Sequence, residues 1–149
     1  MTVKSLDVVG IGNAIVDVLV QADDAFIAAH GLTKGTMALV DEAQADRLYA
    51  ASGSGLETSG GSAANTLAGI AQLGGRAGFI GRVRNDQLGG IFAHDIRSVG
   101  AHFQTPPTTS GPSTARCLIL VTPDAQRTMC TYLGASVTLD PADLDLEMV

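Results

Sequence analysis

The sequence predicts an α/β protein, and three observations carry that prediction. Leu6-Asp7-Val8-Val9-Gly10-Ile11-Gly12 is a short, apolar, β-branched run of the kind that forms a buried parallel strand. Ser59-Gly60-Gly61-Ser62 leads into Ala63, Leu67, Ile70, Ala71 and Leu73, which recur at three- and four-residue steps as the apolar face of a core-packed helix. The composition agrees: 46% hydrophobic residues, only 4% aromatics, 18 glycines and no Trp fit a small-residue-rich α/β chain rather than a disordered one. At 149 residues the chain is at most one ordinary domain. A chain of that size buries roughly 68–70% of its unfolded surface.

The first strand ends at Asn13, and in open α/β sheets ligands sit beyond the carboxyl ends of strands, so polar residues there are functional candidates. Asp17 lies between Val16 and Val18 in a continuing apolar segment. There an ionised carboxylate is paired, hydrogen-bonded or at a mouth open to water, or else it sits exposed on an edge strand. Residues 23–30 read as a short helix stopped by Gly31, and residues 36–40 as a short strand. Residues 41–51 form an amphipathic helix with Ala43, Leu48 and Tyr49 on its apolar side. Ser52-Gly53-Ser54-Gly55 is a flexible lead-in to the glycine pair.

After the glycine-led helix, residues 76–81 read as a second strand. Asn85 or Asp86 caps a helix whose Leu88, Ile91, Phe92, Ile96 and Val99 step by three and four before Gly100. His102-Phe103 opens a third strand, and Thr105-Pro106-Pro107 to Gly111-Pro112 is a proline-containing loop. Residues 114–121 and 127–133 are β-rich runs joined by Thr122-Pro123-Asp124-Ala125-Gln126, a hairpin pattern.

The glycine pair and the Asn13/Asp17 break read together as a polyol-binding site. Gly60 and Gly61 can bend through positive φ and let a ligand approach backbone N–H groups that a Cβ would obstruct, although a flexible turn is the plainer reading. Ser62 can cap the helix that follows. Asn65, in the first helical turn, offers a carboxamide that is donor and acceptor at once.

Gly-Asn-x-x-x-Asp after the first strand, Gly-Gly-Ser-Ala-Ala-Asn-Thr, Leu73-Gly74-Gly75 and the run Phe79 to Gly89 together resemble the ribokinase-like (PfkB-type) sugar and nucleoside kinases, over residues 7–132. Leu67 stands where the family's signature usually has a small residue, and Arg84 where it usually has glycine. The resemblance implies a three-layer α/β/α sandwich with a small β-lid, from segments near residues 18–40 and 112–133. It implies that Asp17 and Asn65, with Asn13, Gly60 and Gly61, hold sugar hydroxyls. Met37, Leu39, Met129 and Thr131 would face the sugar or base, or simply pack the inner face of the lid. Arg127 matches an arginine near the transferred phosphate in the nucleoside-kinase branch, with a solvated hairpin arginine as the alternative.

The implied activity is transfer of the γ-phosphoryl group of ATP, with Mg2+, to a primary hydroxyl, with an adenosine-like substrate the first choice within the adenosine-kinase-like branch. Its general base belongs to a Gly-Ala-Gly-Asp motif that does not occur in these 149 residues, and the magnesium-linked Asn-x-x-Glu motif is absent as well. The chain therefore reads as the N-terminal, substrate-binding half of one kinase domain, inactive alone, with no catalytic residue beyond Arg127. A homodimer through the β-lid is compatible with the resemblance.

Other classes fit less well. A net charge of −6 and a pI near 4.7 argue against a nucleic-acid partner. The longest apolar run, residues 8–20, is broken by Asn13 and Asp17, and no leader pattern opens the chain, so no membrane association and a cytoplasmic protein are expected. Cys117, Cys130, His30, His94 and His102 make no metal-ligand spacing, so no structural metal is expected, and both cysteines read as small hydrophobes in strands. A dinucleotide fold fails because Ile15 occupies the third glycine position of G-x-G-x-x-G, and no Walker-type phosphate loop occurs. A binding or oligomerisation module that keeps the sugar pocket without chemistry is the alternative to a kinase.

Overall fold

The computed structural model describes residues 6–144. Strand β1, Val8–Ile11, pairs in parallel with β5, Ala77–Ile80. A second, five-stranded sheet has the order β3-β7-β6-β2-β4, built from β2 (Ile15–Gln21), β3 (Met37–Leu39), β4 (Leu56–Gly60), β6 (Ala115–Val121) and β7 (Arg127–Tyr132). Residues 18–40 and 112–133, expected to form a small lid, contribute strands to this larger sheet, which β4 joins from outside both segments.

Four helices flank these strands. Helix α1, Asp24–Ala29, is capped by the Asp23 carboxylate on Phe26 N–H at 2.7 Å, and α2, Glu42–Ala51, by Asp41 on Gln44 N–H at 2.7 Å. Helix α3, Ser62–Gln72, starts at Gly61 without a side-chain cap, so Ser62 is the first helical residue and not the cap expected of it. Helix α4, Gln87–Ser98, is capped by Asp86, which accepts from Gly89 N–H at 2.8 Å. The same carboxylate accepts from Thr114 N–H at 2.9 Å and Thr114 Oγ1 at 2.6 Å, tying the start of α4 to the start of β6.

One continuous core holds the two sheets together. Val16, Val18, Val20, Leu118 and Leu120 line the inner face of the large sheet and meet Phe79, Phe92 and Phe103, whose ring centroids lie 5.4–5.9 Å apart. Such offset and edge-on aromatic contacts add to the burial itself.

Four other expectations need correction. Leu73, expected on the core-packed face of α3, is the C-cap residue and 91% exposed. Ala43 is exposed and Ala45 sits beside Leu48 instead, because a residue three positions before Leu48 shares its helix face and one five positions before does not. His102-Phe103 forms no third strand: His102 makes a single bridge to Gly78, exchanging bonds with Ala77 and Phe79 at 2.8 Å, while Phe103 leaves to fill the aromatic cluster. Residues 52–55 are the expected lead-in, but they end at β4, a strand that the polar run Leu-Glu-Thr-Ser-Gly does not announce. No helix among the described residues is long and apolar enough to cross a membrane.

At the exposed start of β1, Asp7 accepts from both the backbone and the guanidinium of Arg76, with Arg76 Nη2 at 2.6 Å. Those bonds to Arg76 hold the carboxyl at about 2 rather than its ordinary 3.8. A lowered acid pKa adds stability that is present above pH 3.8 and is lost as the pH falls toward 2. Arg76→Gln should return Asp7 to the ordinary carboxylate range in a carbon-detected NMR titration. An unchanged value would show that Arg76 is not the cause.

Candidate substrate site

Side chains alternate along a strand, so register decides which of them share a face. Across the five strands Leu39, Thr131, Cys117, Asp17 and Thr58 are directly paired, and the next row is Met37, Met129, Ile119, Leu19 and Leu56. These rows lie on the face turned away from the core. Four of their apolar side chains are exposed: Met37 at 55%, Leu39 at 65%, Leu19 at 37% and Leu56 at 66%. The large sheet therefore presents an apolar, open face with one carboxylate, Asp17, in its inner row.

Asp17 is half-buried, and burial alone pushes its pKa above the ordinary value, with no described charge or hydrogen bond contributing. Its carboxylate hangs over Gly60, the last residue of β4, where a Cβ would run into the carboxylate itself. Gly61 follows with φ of 96°, in the region open chiefly to glycine, and a Cβ there would come within 2.6 Å of the Asn13 carbonyl oxygen. Asn13 is exposed in the turn between β1 and β2 and Asn65 is exposed in the first turn of α3, where Asn65 N–H donates to Gly61 O at 2.8 Å. The fold thus brings the Asn13 backbone, Asp17, Gly60 and Gly61 into one contact set, with Asn65 one helical turn away.

The lid residues divide. Met37, Leu39 and Met129 lie on the same open face as Asp17, Met129 two strands and Met37 and Leu39 three strands away, or roughly 10 and 14 Å across the sheet. Thr131 shares it but is only 8% exposed, and its hydroxyl donates to Cys117 Sγ at 3.2 Å. Arg127 is exposed at the far end of β7, four residues from Thr131, or about 13 Å along the strand. Thr58 and Cys117, the two residues directly flanking Asp17, escape sequence reasoning, as do Leu19, Leu56 and Ile119. The alternation Asp17-x-Leu19 was the available signal for one of these; the rest depend on register between distant segments.

Among the described residues no group of three or more His, Cys, Asp or Glu side chains is arranged to hold a metal ion. The site as built is a hydrogen-bond acceptor set in an apolar wall beside an uncapped helix start. An acceptor so placed can take hydrogen bonds from a ligand's donors while the apolar side chains of the face cover its apolar part.

The fold has known counterparts. The fold is that of the ribokinase-like kinases: a crystal structure of a probable sugar kinase protein from Rhizobium etli CFN 42 matches with a TM-score of 0.88 at 49% identity, over 98% of this chain and 44% of that chain. That of adenosine kinase from Sinorhizobium meliloti matches at 0.86 and 52% identity, over 95% of this chain and 43% of that one. Among curated relatives, probable fructokinase-3 from Arabidopsis thaliana is 31% identical over 96 residues, 63% of this chain and 28% of that protein. The chain thus spans under a third of that curated relative and less than half of the solved chains it matches.

The model of the pfkB family of carbohydrate kinases matches residues 22–148, and the chain belongs to that family.

Proposed function

We propose that this chain is the acceptor-binding half of an ATP-dependent phosphotransferase acting on a sugar or nucleoside, with adenosine or a close analogue as the first candidate. The observation that carries the reading is the Asp17 carboxylate, partly desolvated and without a described partner on an otherwise apolar face. A carboxylate in that setting is costly unless a ligand brings the missing donors, and vicinal hydroxyls of a ribose or hexose are donors of the right kind. The exposed Leu and Met side chains of the same face would cover the apolar part of the bound sugar or base and exclude water from it. Identity of 52% to the Sinorhizobium adenosine kinase supports a nucleoside; the fructokinase relative supports a hexose as the competing substrate.

In this reading the chain binds and orients the acceptor, with Asp17, Asn65 and Asn13 on its hydroxyls and Gly60 and Gly61 leaving room for them. ATP and Mg2+ would supply the phosphoryl group and neutralise its charge. In the reading we favour, ATP and Mg2+ are held by a half that carries the Gly-Ala-Gly-Asp motif missing from these 149 residues. Arg127, exposed at the start of β7, is the residue of this chain that would neutralise charge on the phosphoryl group. A cytoplasmic setting suits the need for ATP, and the exposed β3 and β4 edges would allow two lids to pair.

Calorimetry of the chain with adenosine, ribose and fructose tests the proposal. Saturable one-to-one binding of adenosine, with weaker binding of ribose alone, is expected. Binding of fructose only would move the substrate to the hexoses, and heat from none of the three would sink the substrate-site reading. In a longer protein carrying this segment, the best binder should be consumed with ATP; tight binding without ATP consumption would make it a binding module.

A further inference from the structure

Away from the lid, a cavity of about 120 Å3 opens between α4, the turn at residues 83–85 and the proline loop. It shares no lining residue with the Asp17 face. Val83, Ala93, Phe103 and Pro107 supply apolar walls, while Arg84, Arg97 and Thr105 line it with polar groups.

The two arginines are anchored by backbone, not by carboxylates. Arg97 Nε donates to the Phe103 carbonyl oxygen at 2.9 Å, and its guanidinium lies 5.6 Å over the Phe103 ring. Arg84 Nη1 donates to the Gly111 carbonyl oxygen, and the Arg84 N–H donates to Thr114 Oγ1 at 3.0 Å. Neither guanidinium meets a carboxylate among the described residues, whereas Lys34, Arg76, Arg82 and Arg116 are all ion-paired. The chain carries 15 acidic residues against nine Lys and Arg, so two cations on one cavity with no acidic residue in its lining run against the overall charge. Thr105 is only 7% exposed, and its hydroxyl bonds to no described group. The buried polar atoms left without a partner do not include this hydroxyl, so it remains accessible at the cavity and can donate to a molecule held there.

We propose that this cavity binds a small phosphate-type oxyanion. The free N–H groups of Arg84 and Arg97 would supply charge-assisted hydrogen bonds, and the Thr105 hydroxyl a further donor. A planar guanidinium fork matches the oxygen spacing of such an anion better than an ammonium does. The cavity's size suits inorganic phosphate or a monoester with a one- or two-carbon group, and excludes a nucleotide. Arg84 is also one of the two departures from the family signature, so the site is a property of this chain. It stands independently of the proposed kinase activity.

A phosphorus NMR titration of the 149-residue chain with inorganic phosphate, and separately with methyl phosphate, tests the idea. Saturable one-to-one binding is expected. The dissociation constant should rise about tenfold or more in Arg84→Gln and in Arg97→Gln, as loss of a charge-assisted bond predicts. Arg97→Lys, which keeps the charge and loses the fork, should fall between wild type and Arg97→Gln, and Thr105→Val should weaken binding with little change of shape. Tighter binding of methyl phosphate would identify a monoester as the ligand, and equal or weaker binding the free ion. Absence of saturation, or equal affinity in both glutamine variants with their thermal unfolding unchanged, would overturn the proposal.

Discussion

Asp17→Ala should weaken binding of the acceptor by about 1.5–3 kcal/mol for each hydroxyl bond to the carboxylate that is lost, or roughly 10- to 100-fold per bond. The companion variant Asp17→Asn tests the physical cause. The carboxylate is partly buried with no partner, so its pKa is raised, and an acid raised on folding contributes stability below the unfolded value of 3.8 that is lost as the pH climbs through the folded value. At neutral pH the ionised group therefore works against the fold. Asn removes that charge while nearly preserving shape, so its melting temperature should exceed wild type at pH 7, by about 2–4 °C per kcal/mol relieved, and the gain should fade below pH 3.8. Weaker binding together with a stabler fold is the signature of a residue kept for its ligand. Unchanged affinity in a folded Asp17→Ala protein would remove Asp17 from the site.

Gly61→Val should abolish binding. The position has φ of 96°, which costs a non-glycine residue on the order of 1–3 kcal/mol and a β-branched one most, and its Cβ would press to 2.6 Å from the Asn13 carbonyl oxygen. Relief of that contact moves either the Asn13 turn or the start of α3, and both belong to the candidate site. Far-UV circular dichroism should stay near native, since the helices themselves are untouched. Gly31 separates strain from proximity: its φ is 64°, but a Cβ there meets nothing within 4 Å. Gly31→Ala should cost about 1 kcal/mol of stability and leave affinity alone. Native affinity in Gly61→Val would show that the close approach at Gly61 has no part in recognition.

The legible part of this fold was local. The runs Val8–Ile11 and Ala77–Ile80, the helices near residues 23–30, 41–51 and 87–98, and the hairpin of β6 and β7 announce themselves through periodicity and turn chemistry. Strand β4 did not, because only Leu56 in it is apolar and as a sheet edge it is held by backbone bonds to β2. Gly61 displaced Ser62 as the start of α3 because the chain arrives there with positive φ, a conformation in which the glycine's own backbone serves as the boundary. The site was half legible: Asp17, Asn13 and the glycine pair stand out by type and spacing. Thr58 and Cys117 are ordinary residues that matter only through pairing with Asp17 from 41 and 100 positions away.

That last pairing bears on how the protein is made. Ile15 of β2 lies beside Ala115 of β6, so this inner strand of the large sheet keeps one side bare until 100 further residues exist. At about 5–20 residues per second, that amounts to roughly 5–20 s on the ribosome. During that interval Val16, Val18 and Val20 sit in a strand with an unpaired margin, the kind of template that recruits other chains. Yield of native protein should then depend on translation speed and on chaperones that shield the nascent segment, more than on the stability of the finished fold.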